Sequence, residues 1–209
     1  MNFIVELGFI VSSPMAFVMI ALAIAFFGGE GGPGGDGPYY AERPACWAKP
    51  LLLPGVCNLH KVSDDLYRSA QPTAEGLRNL KANGIKAVVS LCYIHSDLQC
   101  GIKDIGLKYE PIPMHAWHPE EEEIITFLRI VNDKQNTPVL VHCTHGADRT
   151  GAMCAVYRIF VQGWSKQEAL QEMTTGGFGF HMIWQDLPEF IEGLDATRIK
   201  AAAGITEGN

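Results

Sequence analysis

Residues 138–151 read Pro-Val-Leu-Val-His-Cys-Thr-His-Gly-Ala-Asp-Arg-Thr-Gly. Pro138 to His142 is a short apolar run without polar alternation, the pattern of a strand buried on both faces. Thr150 to Val161 predicts a helix directly after it. A buried strand that feeds a helix through a tight loop places the chain among layered α/β structures. The flanking segments agree. Leu59 to Val62 and Leu66 to Arg68 read as short strands around a Ser63-Asp64-Asp65 turn. Thr73 to Asn83 is a helix stopped by Gly84, Ile85 to Leu91 a buried strand, and Lys108 to Met114 another strand. Glu120 to Asn132 is a helix with acids in its first turn and a stripe of Ile124, Phe127, Leu128 and Val131. Ser165-Lys166-Gln167-Glu168 is a capping box opening a further helix, and Met182 to Leu194 predicts the last one. The expected fold class is α/β, a layered domain around a central sheet.

The N-terminal end is of another kind. Leu7 to Phe27 is 21 residues without a charge. At about 1.5 Å per residue such a helix spans the roughly 30 Å hydrocarbon core of a bilayer. It predicts a retained single-pass membrane anchor, with a cleaved secretory signal and export as the alternative. The nearest cations, Arg43 and Lys49, are too distant to fix a membrane side. Glycine dominates residues 28–38, so 28–42 reads as a tether. The organisation is therefore 1–27 anchor or signal, 28–42 tether, 43–195 globular domain and 196–209 flexible tail. With 16 Lys and Arg against 23 Asp and Glu, the chain is a poor match for sequence-independent nucleic-acid binding. Hydrophobic residues at 47% exclude a disordered chain, and six cysteines are too few for a disulfide scaffold. Cys46 with Cys57, and Cys92 with Cys100, are the candidate pairs; Cys92 and Cys100 are alternatively redox partners of Cys143.

The loop carries the chemistry. Cys143 and Arg149 bracket five residues. A strand-to-helix loop turns successive backbone N–H groups inward as an anion nest, and the helix N-terminus adds partial positive charge. The same field favours a thiolate. A guanidinium that closes the ring grips phosphate oxygens in two places. Gly146 lets the backbone bend and approach a ligand. Thr150 can donate its hydroxyl to the sulfur.

His142, Cys143, Arg149 and Thr150 form H-C-x5-R-[ST], which resembles the signature of the cysteine-dependent protein tyrosine and dual-specificity phosphatase superfamily. Residues 58–72, Trp117-His118-Pro119-Glu120 and Gly177-Phe178-Gly179-Phe180-His181 are similar to segments of small bacterial dual-specificity phosphatase-like proteins. The likeness extends over about residues 43–194. It implies a compact α/β phosphatase domain, with a central mostly parallel sheet flanked by helices, that uses no metal and no organic cofactor. It implies that Cys143 attacks phosphorus to form a phosphocysteine that water then hydrolyses. Arg149 would bind the phosphoryl group, and the main chain of Thr144, His145, Gly146, Ala147, Asp148 and Arg149 would cradle its oxygens. His142 would hold the loop and tune the thiol, and Thr150 would assist the second step.

The family usually supplies a proton donor from an Asp on a mobile loop. Here the corresponding stretch offers Glu120 first, with Glu121 and Glu122 behind it; Asp148 and His118 are the alternatives. The three glutamates also suit the first turn of a helix without any further role. The expected partner is a phosphorylated protein or small phosphomonoester, phosphotyrosine first and phosphoserine or phosphothreonine after it. Residues 144–148 hold no Lys or Arg, and the chain from Arg43 onward carries 16 basic and 19 acidic residues. That balance weighs against RNA ends and crowded polyanions, although phosphoinositide or inositol (pyro)phosphate hydrolysis remains an alternative. A reading of another class is a weakly active phosphate-binding docking module. The pairs His142/His145 and His115/His118 share His-x-x-His spacing, but a tight loop scatters imidazoles, and no metal is expected.

Overall fold

A computed structural model describes residues 43–93 and 97–205. The run Leu7 to Phe27 and the tether lie outside them, so the anchor-or-signal expectation gains no support from the fold. Among the described residues no helix is long and apolar enough to cross a membrane.

The strands are β1 (Lys49–Pro50), β2 (His60–Lys61), β3 (Leu66–Ala70), β4 (Ala87–Ser90), β5 (Lys108–Pro111) and β6 (Val139–Cys143). They form one sheet in the order β1-β2-β3-β6-β4-β5. The first three pair antiparallel; β3, β6, β4 and β5 run parallel. The expected mostly parallel sheet is thus a mixed one, with a small antiparallel edge. The helices are α1 (Ala74–Ala82), α2 (Ile102–Ile105), α3 (Glu121–Asn132), α4 (Asp148–Phe160), α5 (Lys166–Thr175), α6 (Asp186–Gly193) and α7 (Ala196–Ala203).

β6 shows why the sheet needs both layers. Val139 and Val141 join the larger core with Phe127 of α3, Val156 of α4, Leu187 of α6 and Ile199 of α7. Leu140 points the other way, into a second cluster with Leu77 and Leu80 of α1, Ile102 of α2 and Val88 of β4. Each such side chain contributes roughly 1.5–3 kcal/mol by leaving water.

Three expectations need correction. The C-terminal stretch 196–209 is not wholly a free tail, because Ala196–Ala203 is a helix. Asp195 caps it by accepting from the Arg198 amide, Ile199 is fully buried, and Arg129 of α3 donates to the Ala202 carbonyl at 2.7 Å. The last predicted helix starts at Asp186 rather than Met182, since Met182 and Ile183 are exposed and have no apolar face to join. The suggested cysteine pairs are not formed, and all six thiols are free. A 3₁₀ turn at Asp97–Cys100, together with α2, fills a stretch that showed no clear periodicity.

Candidate active site

β6 lies inside the parallel part of the sheet, so its last residue, Cys143, emerges at the carboxyl edge where α4 begins. Open α/β sheets bind ligands at this edge. His142 and Cys143 pair in register with Ser69 and Ala70 of β3. Gly146 has φ +70°, and a Cβ there would collide with the Ser69 carbonyl and Ala70 amide, so the loop is pressed onto β3 as only glycine allows. The loop carbonyls are tied down on that side. Arg68 donates to Gly146 O at 2.8 Å and Asn58 Nδ2 to His145 O at 3.1 Å. The buried Arg68 guanidinium also stacks 3.7 Å over the Phe178 ring. With carbonyls held outward, the amides are left for an anion, and those of Gly146 and Thr150 reach the sulfur.

Burial pushes the Cys143 thiol up, but the Thr150 hydroxyl and amide, the Arg149 charge and the Gly146 amide prevail and hold it below its ordinary value. Thr150 Oγ1 is buried with no other hydrogen-bond partner, so an ionised sulfur answers an otherwise unmet donor. Cys154 makes the contrast. Burial pushes it up to about 11, an inert core thiol. Beneath the loop, His142 Nε2 lies 2.6 Å from Asp97 Oδ2, and both side chains are sealed from solvent. Burial disfavours the imidazolium, yet the Asp97 bond raises it to about 9. Gln71 Nε2 donates to the other Asp97 oxygen at 2.8 Å. Arg149 is anchored by donating Nη1 to Leu91 O at 3.0 Å and Met114 O at 3.2 Å, with Nη2 3.4 Å from Thr144 Oγ1.

Above the loop opens a cavity of about 520 Å³. Thr144, His145, Asp148 and Arg149 form its floor, beside Cys92. One wall is a run of rings: Tyr93, His115, Trp117 and Trp184, with successive centroids 4.1, 4.6 and 6.1 Å apart. Cys143 is only 2% exposed and sits under the floor rather than on the wall. Gly146 and Ala147 shape the loop backbone. Glu120 is a correction: its side chain is 56% exposed, does not line the cavity, and joins Glu123 in capping α3. Glu121 pairs with Arg198. The first turn of the helix accounts for these acids. Sequence reasoning gave no role to Asn58, Arg68, Asp97 or His181. The Gly-Phe-Gly-Phe-His stretch was a signal for the last of these, since Phe178 carries Arg68 and His181 meets Asp148.

Residues 58–187 match the family described as DSP-PTPase phosphatase fused to NAD+ kinase. The chain belongs to the dual-specificity phosphatases. It is a cysteine-dependent protein phosphatase of that family. It is 36% identical over 193 residues to the dual specificity protein phosphatase TpbA of Pseudomonas aeruginosa, covering 91% of this chain and 86% of that one. The crystal structure of P. aeruginosa TpbA in complex with pTyr superimposes with a TM-score of 0.68 at 34% identity, covering 78% of this chain and 99% of that one. The inositol diphosphatase DSP5 of Arabidopsis thaliana is 30% identical over 164 residues, covering 72% of this phosphatase and 75% of that relative.

Proposed function

We propose that this phosphatase hydrolyses phosphomonoesters through a phosphocysteine on Cys143, with phosphotyrosine as its preferred substrate. The observation that carries the reading is the make-up of the cavity. An aromatic wall of Tyr93, His115, Trp117 and Trp184 rises over a floor whose one Lys or Arg, among the described residues, is Arg149. Such a site takes one phosphoryl group and stacks one ring.

The thiolate attacks phosphorus while Arg149 and the loop amides hold the three equatorial oxygens. The P–O bond breaks and the ester oxygen leaves with its electron pair. Water then attacks the phosphocysteine, and Thr150 stabilises the sulfur as it departs. His142, with Nε2 2.6 Å from Asp97 Oδ2, pins the end of β6 from which the loop starts. That TpbA has been seen with pTyr supports this substrate. The likeness to an inositol diphosphatase favours a second reading, but a cavity with one guanidinium and the Asp148 carboxylate is poorly suited to a dense polyanion.

A panel of kcat/KM values tests the choice. The phosphotyrosine peptide should exceed the phosphoserine and phosphothreonine peptides and a diphosphoinositol by about tenfold or more, the scale on which shape and apolar contact discriminate. A higher value for the diphosphoinositol would overturn it.

A further inference from the structure

Glu120 leaves the proton-donor role vacant, and the cavity itself suggests what fills it. Among the described residues its only carboxylate is Asp148, and that side chain is nine-tenths buried with both oxygens engaged. The His181 backbone amide donates to Oδ1 at 2.8 Å, and His181 Nδ1 lies 2.9 Å from Oδ2 and 3.1 Å from Oδ1. Gly177 and Gly179, at φ +79° and +85°, fold residues 177–181 back so that the amide and the ring of one residue meet one carboxylate. The His181 side chain is 54% exposed and lines the cavity with Arg149.

We propose that His181, oriented by Asp148, gives the proton to the departing ester oxygen and takes one from the attacking water. This rests on the phosphomonoester reading above. Asp148 is a pure acceptor, so it fixes Nδ1 as a protonated nitrogen and leaves Nε2 to serve the cavity. Partner and ring form the base–orienter geometry of acid–base catalysis. In the first step the S–P bond forms and the P–O bond breaks. The electron pair passes to the ester oxygen, which takes the Nε2 proton of the imidazolium to give a neutral alcohol or phenol. In the second step the neutral ring accepts a proton from water as oxygen attacks phosphorus and the P–S bond breaks. Thiolate and imidazolium are thereby restored and inorganic phosphate is released. The groups that face His181 are Asp148 on α4, the His145 ring at 6.0 Å on the loop, and Arg149 and His115 across the cavity.

The test uses the full chain and a series of aryl phosphates from 4-nitrophenyl phosphate to phenyl phosphate. Read as kcat/KM, His181→Gln should lose about 100-fold on phenyl phosphate, the usual scale of general acid catalysis. It should lose under about threefold on 4-nitrophenyl phosphate, whose leaving oxygen needs no proton. The basic limb of the pH profile on phenyl phosphate should flatten. Glu120→Gln should match wild type throughout. An equal loss across the series, or none, would overturn the role of His181 while leaving the phosphatase reading intact. A wild-type chain inert toward every ester would overturn both.

Discussion

Replacing Cys143 with serine should abolish turnover of 4-nitrophenyl phosphate, a loss of at least about 10³-fold, while phosphotyrosine peptide still binds. A hydroxyl is nearly isosteric with the thiol but does not ionise under the same field. The rest of the cradle does not depend on the sulfur. Arg149 is held by Leu91 O and Met114 O, and the loop carbonyls by Arg68 and Asn58. The wild-type profile should carry the matching signature. The thiol is held below its ordinary value, so kcat/KM should rise with pH through a limb that lies below that of a free cysteine. Steady-state assays with calorimetric binding check both halves. Residual turnover in the serine variant above about one part in a hundred would remove Cys143 from the nucleophile's role.

The second large effect is on stability. Glu172→Ala should cost about 3–5 kcal/mol, the usual penalty for stranding a buried charge. For a domain of this size that lowers Tm by about 10 °C. Arg158 is 2% exposed and spends its donors on both Glu172 oxygens, the carbonyls of Val62 and Cys46, and Gln162. Glu172 also accepts from the Ala48 amide at 2.6 Å. One ion pair thus ties the edge of the sheet to α4 and α5, and α4 is the helix whose first turn presents Arg149. Denaturant midpoints measure the change. The double variant Arg158→Met with Glu172→Leu should recover part of the loss, since no charge is left unpaired. A single-variant loss under about 1 kcal/mol would show that water reaches the pair.

What the sequence made legible was what local pattern controls. The unalternating run into His142 marked the central strand, and the Cys143–Arg149 spacing marked the cradle, because both express backbone geometry within a few residues. The capping box at Ser165 appeared where it was expected. Long-range partners were not legible. Asp97 is 45 residues from the His142 it pairs with, and Arg68 is 78 from the Gly146 carbonyl it holds. Nothing local distinguishes either from an ordinary surface charge. Glu120 misled for the opposite reason: an acid beside Trp117 in sequence is equally well explained by the capping of α3. Residues 196–203 read as part of a flexible tail because their alanines carry little pattern; the Asp195 cap, the burial of Ile199 and the Arg129 bond to the Ala202 carbonyl order them.

The phosphocysteine itself is the most direct measurement. Enzyme turning over an aryl phosphate is quenched in acid, digested and weighed by mass spectrometry. One added phosphoryl group on the Cys143 peptide, absent from Cys143→Ser and from enzyme without substrate, is the expected result. An unmodified Cys143 peptide at steady state and in the first turnover, with phosphate still released, would contradict it.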